Sequence, residues 1–325
     1  MNYLESPKQY TGIDVEKIFF RPILTGDGAK ELGIRVLYNM PVPTVVQLWD
    51  GSRNVLKKFT TNGWTGGDAA TKYQKQIPME RVKAELGFSA ADYFSLVYEQ
   101  ISARADINME DLTGTILEQA ETELFKQAIA ENLRMTMWLG DTSRNTGYNT
   151  FNGFLTSINQ AVTDDVINYT NYAAAEMTAP EHAVAVLQKL WDMADPALKS
   201  MRGEGQLAFF CTSDICDLYE QYLDSMGVES SFRATTEGVS SLAFHGIPIV
   251  DPCITNMLAQ TSLHQSFALL TDRRNLVMAV NTADIPGNEV RMWYNPDEME
   301  NRQRALFMAG CEILDENMLS YAYRS

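Results

Sequence analysis

A helical pattern between residues 109 and 139 restricts the possible folds of this chain more than any other feature. Apolar residues recur there at helical spacing, and Gly140 follows as a stop signal. We predict one continuous helix, with Asp106 or Asn108 as its N-cap. At 1.5 Å per residue it is a rod roughly 45 Å long, longer than most globular helices. Its predicted buried stripe comprises Leu112, Ile116, Leu117, Ala120, Leu124 and Ala128, and it is widened by Phe125, Ile129, Leu133 and Met137.

The segment before this rod predicts a long β-hairpin. Residues 44–50 (TVVQLWD) form a short β-type run, and residues 77–88 alternate apolar with charged side chains. In the second run Val82, Ala84, Leu86 and Phe88 face one way, and Arg81, Lys83 and Glu85 face the other. Between the two runs, the stretch 60–73 is rich in glycine and threonine and has too few apolar side chains for a core. A projecting hairpin is marginally stable alone, so we expect it to pack on a partner.

Residues 1–40 predict an irregular N-terminal arm. Proline and glycine, including Pro7, Gly12 and Pro22, interrupt every periodic run and leave room for at most a short helix near 27–33. An arm of this length on a compact domain usually lies on something else, often a neighbouring subunit.

The rest of the chain predicts a mixture of elements that do not alternate regularly. We expect helices at 89–105, 179–200 and 213–227, strands at 206–212, 290–294 and 302–314, two strands around a turn within 267–281, and a polar loop at 141–158. The run FHGIPIVDP (244–252) contains one further strand, which Pro248 opens and Pro252 ends. Proline is tolerated in short antiparallel or edge strands, so the fold class is α+β rather than a doubly wound parallel sheet.

Composition excludes several functional classes. The chain has 325 residues, of which 45% are hydrophobic, and no apolar run long enough to span a membrane. Its beginning lacks the basic and apolar regions of a signal peptide. The formal charge of −16 excludes a coat that condenses nucleic acid by charge, because such affinity comes from lysine and arginine.

Motifs for catalysis or cofactor binding are missing from the sequence, so we predict no catalytic residue, cofactor or metal. The chain has no phosphate-binding loop, dinucleotide fingerprint, nucleophile elbow or zinc-protease motif. We interpret Cys211, Cys216, Cys253 and Cys311 as reduced core residues of a protein made in a cytoplasm. The pair Asp164-Asp165 indicates a solvated turn. The run 272–275 (DRRN) either grips a phosphate or, as we prefer, forms a hairpin turn with exposed charges.

Five local sequences follow one another in an order that points to a known family. They are GWTGG (63–67), WLGDTSRNTGYNTFNGFL (138–155), FHGIPIVDP (244–252), FALLTDRRNLVMAV (267–280) and RQRALFMAGCEIL (302–314). Together they resemble the major capsid protein of tailed bacteriophages, which has the Hong Kong 97-like fold. The resemblance covers nearly the whole chain and rests on the order of the motifs, because each motif alone is weak.

The resemblance implies a domain organisation. The ranges are an N-terminal arm at 1–40, an E-loop hairpin at 41–80, a P-domain at 81–158 with the spine helix 109–139, an A-domain at 159–282, and a return to the P-domain at 283–325.

The resemblance also implies a structural role without enzymatic activity. Copies would self-assemble as hexamers and pentamers into an icosahedral shell around phage double-stranded DNA, which is enclosed without sequence-specific binding. Scaffolding, portal and decoration proteins are possible separate partners, and no membrane is involved. The protein would belong to the virion and assemble in the bacterial cytoplasm, with an acidic or neutral inner surface. Two alternatives stay open: an encapsulin-type compartment that holds an enzyme cargo, and an α+β enzyme with an unrecognised site.

Several residues are candidates for contacts between subunits. Trp64 lies in the hairpin tip, where it either forms an interface or folds back onto its own hairpin. The full set of candidates is Phe20, Arg21, Trp49, Lys57, Lys58, Trp64 and Arg81. Some family members join an E-loop lysine to an asparagine of a neighbour, which would make Asn295 or Asn301 the partner here. We interpret Lys57 and Lys58 as solvated charges, because the crosslink needs a desolvated, neutral lysine.

Overall fold

The computed structural model of the chain describes residues 8–11, 20, 32–40, 44–50, 71–89, 116–173, 177–226, 242–258, 260–261, 263–282, 289–295, 297–298 and 300–324. Within these residues the chain forms two six-stranded sheets, a two-stranded hairpin and six α-helices. None of these helices combines the length and the apolar character that a membrane span requires.

The strands are numbered in chain order. They are β1 (Lys8–Thr11), β2 (Arg35–Tyr38), β3 (Thr44–Asp50), β4 (Thr71–Ile77), β5 (Glu80–Ser89), β6 (Asn168–Tyr172), β7 (Leu207–Cys211), β8 (Ala243–Phe244), β9 (Ile247–Val250), β10 (Phe267–Asp272), β11 (Leu276–Asn281), β12 (Glu289–Asn295), β13 (Glu300–Ile313) and β14 (Leu319–Arg324). The helices are α1 (Ile116–Leu139), α2 (Phe154–Thr163), α3 (Pro180–Met193), α4 (Pro196–Ser200), α5 (Ser213–Ser225) and α6 (Thr255–Leu258).

The first sheet is built around the long strand β13. Its order is β1-β12-β13-β11-β2, and β5 pairs with β13 as well. Along β13, residues 300–305 pair with β12, residues 308–313 pair with β11, and residues 300–309 pair with β5. The alternation predicted for β5 is confirmed, because Val82, Ala84 and Leu86 pack against the core while the residues between them are exposed.

The second sheet has the order β6-β14-β10-β7-β9-β8. Its central strands β7 and β10 are buried along their whole length. Helix α3 packs on β6, β10 and β14, and α5 packs on α3. The run FHGIPIVDP forms a tight turn at His245 and Gly246, both with positive φ, between β8 and β9. The expectation that Pro248 opens an edge or antiparallel strand is wrong in detail, because β9 begins at Ile247 and lies between β7 and β8. Proline is tolerated there because the parallel pairing with β7 involves only Ile249 and Val250.

Helix α1 ends at Leu139, as predicted, and residues 109–115 of the predicted helix lie outside the described part of the chain. The expected centre of its buried stripe is wrong at Leu124, which is 50% exposed. Among the side chains that the structure describes, the apolar contacts come from Phe125, Ile129 and Leu133. The side chains of the predicted stripe residues Ile116, Leu117 and Ala120 lie outside the described residues. Near the end of the helix, Trp138 is completely buried. Its ring centre lies 5.5 Å from that of Phe154 in α2, 5.4 Å from that of Phe210 in β7 and 6.3 Å from that of Phe267 in β10. Trp138 therefore connects helix α1 to α2 and to the second sheet.

The segment after α1 folds back across the end of that helix at two glycines. The backbone N–H of Gly153 donates to the carbonyl of Gly140 at 2.8 Å. A Cβ atom at Gly140 would lie 2.2 Å from the carbonyl oxygen of Phe151, so only glycine permits this approach. The polar loop therefore ends at Gly153 rather than at residue 158, because α2 begins at Phe154.

Three further expectations are wrong in detail. The hairpin strand β3 pairs with β4, whereas the alternating strand β5 pairs with β13. The predicted helix 179–200 is interrupted by Asp195, which caps α4 through a 2.7 Å hydrogen bond to the N–H of Ala197. The strands β10 and β11 do not form a hairpin, because they belong to different sheets. The predicted helix 89–105 lies beyond Ser89, outside the described residues.

Candidate assembly surfaces

In the described part of the chain, the contacts of the hairpin β3–β4 with the body lie near the base of the hairpin. Its ladder runs from the pair Thr44–Ile77 to the pair Asp50–Thr71. At the base, Val46 and Ile77 pack with buried side chains of the first sheet, namely Val277, Ala279 and Leu314. Among the described strands, β3 and β4 pair only with each other. The hairpin is therefore a ribbon whose distal part has no strand partner in the described part of its own subunit.

The turn between β4 and β5 sits directly on the backbone of β13. A Cβ atom at Gly310 would lie 1.9 Å from the carbonyl oxygen of Pro78. The base of the hairpin thus touches the first sheet backbone to backbone, a distance that only glycine allows.

An ion pair also holds the hairpin at its base. The Lys75 Nζ atom lies 2.9 Å from Glu316 Oε1 and 3.8 Å from Glu312 Oε1. Burial disfavours the charged lysine, but the hydrogen bond to Glu316 and the nearby carboxylates outweigh this and raise the pKa of Lys75 above 10.5. Burial raises the pKa of Glu312, although the charge of Lys75 opposes the shift.

Some of the candidate contact residues lie in the described part of the chain, and others lie outside it. Arg81 is exposed on β5, opposite Met308 of β13, and Trp49 lies opposite Lys72 in the hairpin ladder. The other hairpin and arm candidates, Arg21, Lys57, Lys58 and Trp64, lie outside the described residues and stay predictions.

The described parts of the N-terminal arm lie on their own subunit. Strand β1 pairs with β12, and β2 pairs with β11. Phe20 is completely buried, with its ring centre 4.6 Å from that of Phe307. Its side chain therefore belongs to the core of its own chain. Burial of this ring stabilises the fold of the subunit more than an exposed position of the ring would.

The two asparagines considered for a crosslink lie in different environments. Asn301 is only 5% exposed, on the core side of β13, where a lysine from another subunit has no access. The side-chain oxygen of Asn295 accepts hydrogen bonds from the Arg302 guanidinium at 3.2 and 3.3 Å. Of the two asparagines, Asn295 is therefore the more accessible to a lysine of another subunit.

The DRRN segment connects two different sheets and is not the expected hairpin turn, although the side chain of Arg274 is half exposed, as expected. Asp272 is buried and accepts hydrogen bonds from Arg274, from Nε at 3.1 Å and from Nη2 at 2.6 Å. The Nη2 atom also lies 2.8 Å from Glu204, and these bonds raise the pKa of Arg274. A guanidinium that already faces two carboxylates has no free charge for a phosphate.

The cysteines are free thiols, but one of them departs from the expected core position. Cys211, Cys216 and Cys311 are buried, and burial raises the pKa of each thiol. Cys253 is exposed, in a backbone conformation with φ of 57°. Across the described ranges, no group of three or more histidine, cysteine, aspartate or glutamate side chains comes together to hold a metal.

Sequence reasoning missed one surface on the first sheet. In β12, Val290 and Met292 are buried, so Arg291 and Trp293 share the outer face. The alternation in VRMWY indicates that Arg291 and Trp293 share one face of the strand. It does not indicate which residues of β13 lie beside them on that face.

Comparison of the sequence with protein-family models and with curated proteins finds no match. Solved structures do match in fold. The satellite phage P4 procapsid that includes the size determination (Sid) protein matches with a TM-score of 0.53 at 9% identity, over 96% of this chain and 91% of that chain. The structure titled Gordonia phage Cozz has a TM-score of 0.51 at 11% identity, over 91% and 86% of the two chains. The capsid of Ralstonia phage GP4 has a TM-score of 0.51 at 10% identity, over 93% and 89%. The chain therefore has the fold of phage capsid structures, which confirms the α+β class and the resemblance that its sequence motifs indicate.

Proposed function

We propose that this chain is a major capsid protein, many copies of which self-assemble into an icosahedral shell around phage double-stranded DNA. The observation that supports the proposal most strongly is the likeness to phage capsid structures over at least 91% of this chain and 86% of each neighbour. The role is structural rather than enzymatic, and the protein belongs to the virion.

The hairpin supplies the physical mechanism. Seven residues in each strand, at about 3.3 Å per residue, give a described ribbon on the order of 20 Å long. Its contacts with the body in the described part of the chain lie at the base, so we infer that neighbouring copies supply the surface for the rest. Many weak contacts of this kind add up through effective concentration, and the rotation between subunits closes the assembly into hexamers, pentamers and a shell.

The proposed domains correspond to the two layers. The first sheet with α1 forms the P-domain, and the second sheet with α3 and α5 forms the A-domain. Residues 41–80 form the E-loop, and residues 1–40 form the arm, whose strands β1 and β2 are added to the first sheet. In this proposal we assign β11 to the P-domain and β14 to the A-domain, since each pairs within the corresponding sheet. After an earlier crossing between β5 and β6, the chain then passes between the sheets at 273–275 and at 314–318.

The acidic charge supports enclosure of DNA rather than adhesion to it. With 42 acidic and 26 basic residues, the chain has no overall attraction for phosphate, and we propose an acidic or neutral inner wall. DNA is then held without sequence-specific contacts, while scaffolding, portal and decoration proteins act as separate partners.

Electron microscopy of the purified protein, with sedimentation analysis, tests this proposal. We expect empty closed shells of a size that can package a phage genome. Small shells with a protein cargo inside would instead indicate a nanocompartment, and discrete small oligomers at all protein concentrations would overturn the shell role.

A further inference from the structure

The outer face of the first sheet carries a compact cluster of one tryptophan and three arginines. The β12 residues Arg291 and Trp293 lie opposite Arg304 and Arg302 of β13. The guanidinium carbons of Arg291 and Arg304 each lie 5.7 Å from the centre of the Trp293 ring, which is within the range of cation–π attraction. These four residues are called the Trp293 cluster.

Three of the charges in and around this cluster already have partners. Arg304 Nη2 lies 2.8 Å from Glu289 Oε1, Arg302 pairs with Glu298, and Arg302 Nε lies 3.4 Å from Glu300 Oε2. On the adjacent strand β5, Lys83 lies 2.7 Å from Glu85.

Arg291 is different. It is exposed, and no carboxylate of the described residues pairs with it. Directly across the strand pair it faces another arginine, Arg304, and like charges in that position are unfavourable. The half-buried ring of Trp293 attracts both guanidinium groups, and Arg304 is also held by its ion pair with Glu289.

Such a surface has the composition of an interface core. Tryptophan and arginine are the residues that most often dominate binding energies, and their stems and rings bury a large area. Covering Arg291 without an opposite charge would leave a desolvated cation, which is costly. A partner must therefore bring a flat apolar area for Trp293 and a carboxylate for Arg291.

We propose that the Trp293 cluster docks on a carboxylate-bearing surface of a second copy of this chain. The argument is charge complementarity at Arg291, which has no carboxylate partner among the described residues although Arg302 and Arg304 do, whereas each copy carries a net charge of −16. The inference rests on the proposed shell function, in which a second copy is the partner always present. DNA is the competing anion, and the test separates it from a second copy.

Hydroxyl-radical footprinting with mass spectrometry reads the cluster directly through oxidation of Trp293. It is applied to dissociated subunits, to empty shells and to DNA-filled shells of the full chain. We expect Trp293 oxidation to fall several-fold in empty shells relative to subunits, with no further fall on DNA filling. Protection only in filled shells would assign the cluster to DNA, and equal oxidation in all three states would show that nothing covers it. Either result overturns the proposal, while a failure to form any shell overturns the proposed function itself.

Charge reversal supplies the second measurement. Arg291→Glu places a carboxylate where the partner's carboxylate must approach, so we expect the threshold concentration for shell assembly to rise about tenfold. Lys189→Glu makes the same change on the exposed side of α3 and is the matched control. Circular dichroism and thermal melting of both subunits establish that they fold. Equal assembly thresholds for the two folded variants would contradict the proposal.

Discussion

The side-chain amide of Asn275 clamps the backbone of Asp315 with two hydrogen bonds. Nδ2 donates to the Asp315 carbonyl at 2.9 Å, and Oδ1 accepts from the Asp315 N–H at 2.8 Å. Asn275 ends the connection from β10 to β11, and Asp315 begins the connection from β13 to β14. The carbonyl of Asn275 also accepts from the N–H of Leu314 at 3.0 Å. Two of the connections between the sheets are therefore joined to each other at one amide.

Asn275→Ala should destabilise the fold strongly. The substitution leaves the N–H and C=O of Asp315 without these partners in a mostly buried place, at a cost of about 2–4 kcal/mol for the two groups. Chemical denaturation of the subunit measures the loss. Asn171→Ala, at an exposed position of β6, is the control and should change stability by less than about 0.5 kcal/mol. If both variants unfold at the same denaturant concentration, Asn275 is not a clamp.

Gly153→Ala should be among the most damaging small substitutions in the chain. Its Cβ atom would lie 2.7 Å from the backbone nitrogen of Gly140 and 2.7 Å from the carbonyl oxygen of Thr136, so the loop must leave the end of α1. We expect a loss of more than about 3 kcal/mol or failure to fold. Gly203→Ala is the matched control, because a Cβ atom there meets nothing within 4 Å. Thermal melting of the two variants compares them, and a small shift for Gly153→Ala would be inconsistent with the crossing.

Phe125→Ala and Leu124→Ala should differ although the residues are adjacent. Phe125 is 2% exposed in the main core, so its truncation leaves a cavity and costs about 3–5 kcal/mol. Leu124 is half exposed, and its truncation should cost less than about 1 kcal/mol. Denaturant midpoints of the two variants test which side of α1 faces the core. If Leu124→Ala were the more destabilising substitution, Leu124 rather than Phe125 would face the core, as the predicted stripe has it.

Glu312→Gln and Glu316→Gln should shift stability in opposite directions at pH 7. Burial raises the folded-state pKa of Glu312 above its ordinary value of 4.5, so the folded state pays for ionisation as pH rises through that window. Removing this charge should stabilise the subunit by up to about 1 kcal/mol at pH 7 and by nothing below the ordinary pKa. Glu316→Gln loses the 2.9 Å pair with Lys75, which is partly exposed, and should cost less than about 1 kcal/mol. Melting temperatures between pH 4 and pH 8 give both signs, and parallel curves for the two variants would refute the assignment.

Replacing residues 51–70 with a two-residue turn should abolish shells but leave the subunit folded. The base of the hairpin, with Val46 and Ile77, stays in place, so the melting temperature should change little. The deletion removes residues 51–70 of the proposed E-loop, which include the predicted contact residues Lys57, Lys58 and Trp64, so electron microscopy should show no closed particles. Normal shells from this variant would mean that residues 51–70 are dispensable for assembly.

Elements with a strong local pattern were predictable from the sequence. Strands β3, β7 and β12 and the end of α1 fall where alternation, apolar runs and Gly140 place them. The fold class and the family resemblance were predictable from the order of such elements along the chain. No single element is specific enough to indicate either of them.

What the sequence left undetermined depends on pairing across long distances. The polar strand β4 (TKYQKQI) has no apolar alternation, so its sequence does not predict a strand. The regular alternation of β5 therefore led to the prediction that β5 is the second hairpin strand, whereas β5 pairs with β13. On α1, Leu124 and Phe125 are both apolar and lie about 100° apart around the axis, so only the surrounding layers decide which is buried. Phe20 has no periodic neighbours at all, and only the folded sheet provides its place. The Trp293 cluster was missed because it is made by the register between β12 and β13.

The contact between Pro78 and Gly310 gives the hairpin a stiff pivot. Here backbone meets backbone, next to the side-chain packing of Val46 and Ile77, and a close backbone contact yields less than a side chain that can rotate. We therefore expect a displacement of the ribbon to act on β13 at Gly310, and β13 is paired with three other strands. A hairpin that is badly placed on a neighbouring copy should then strain the first sheet of its own subunit.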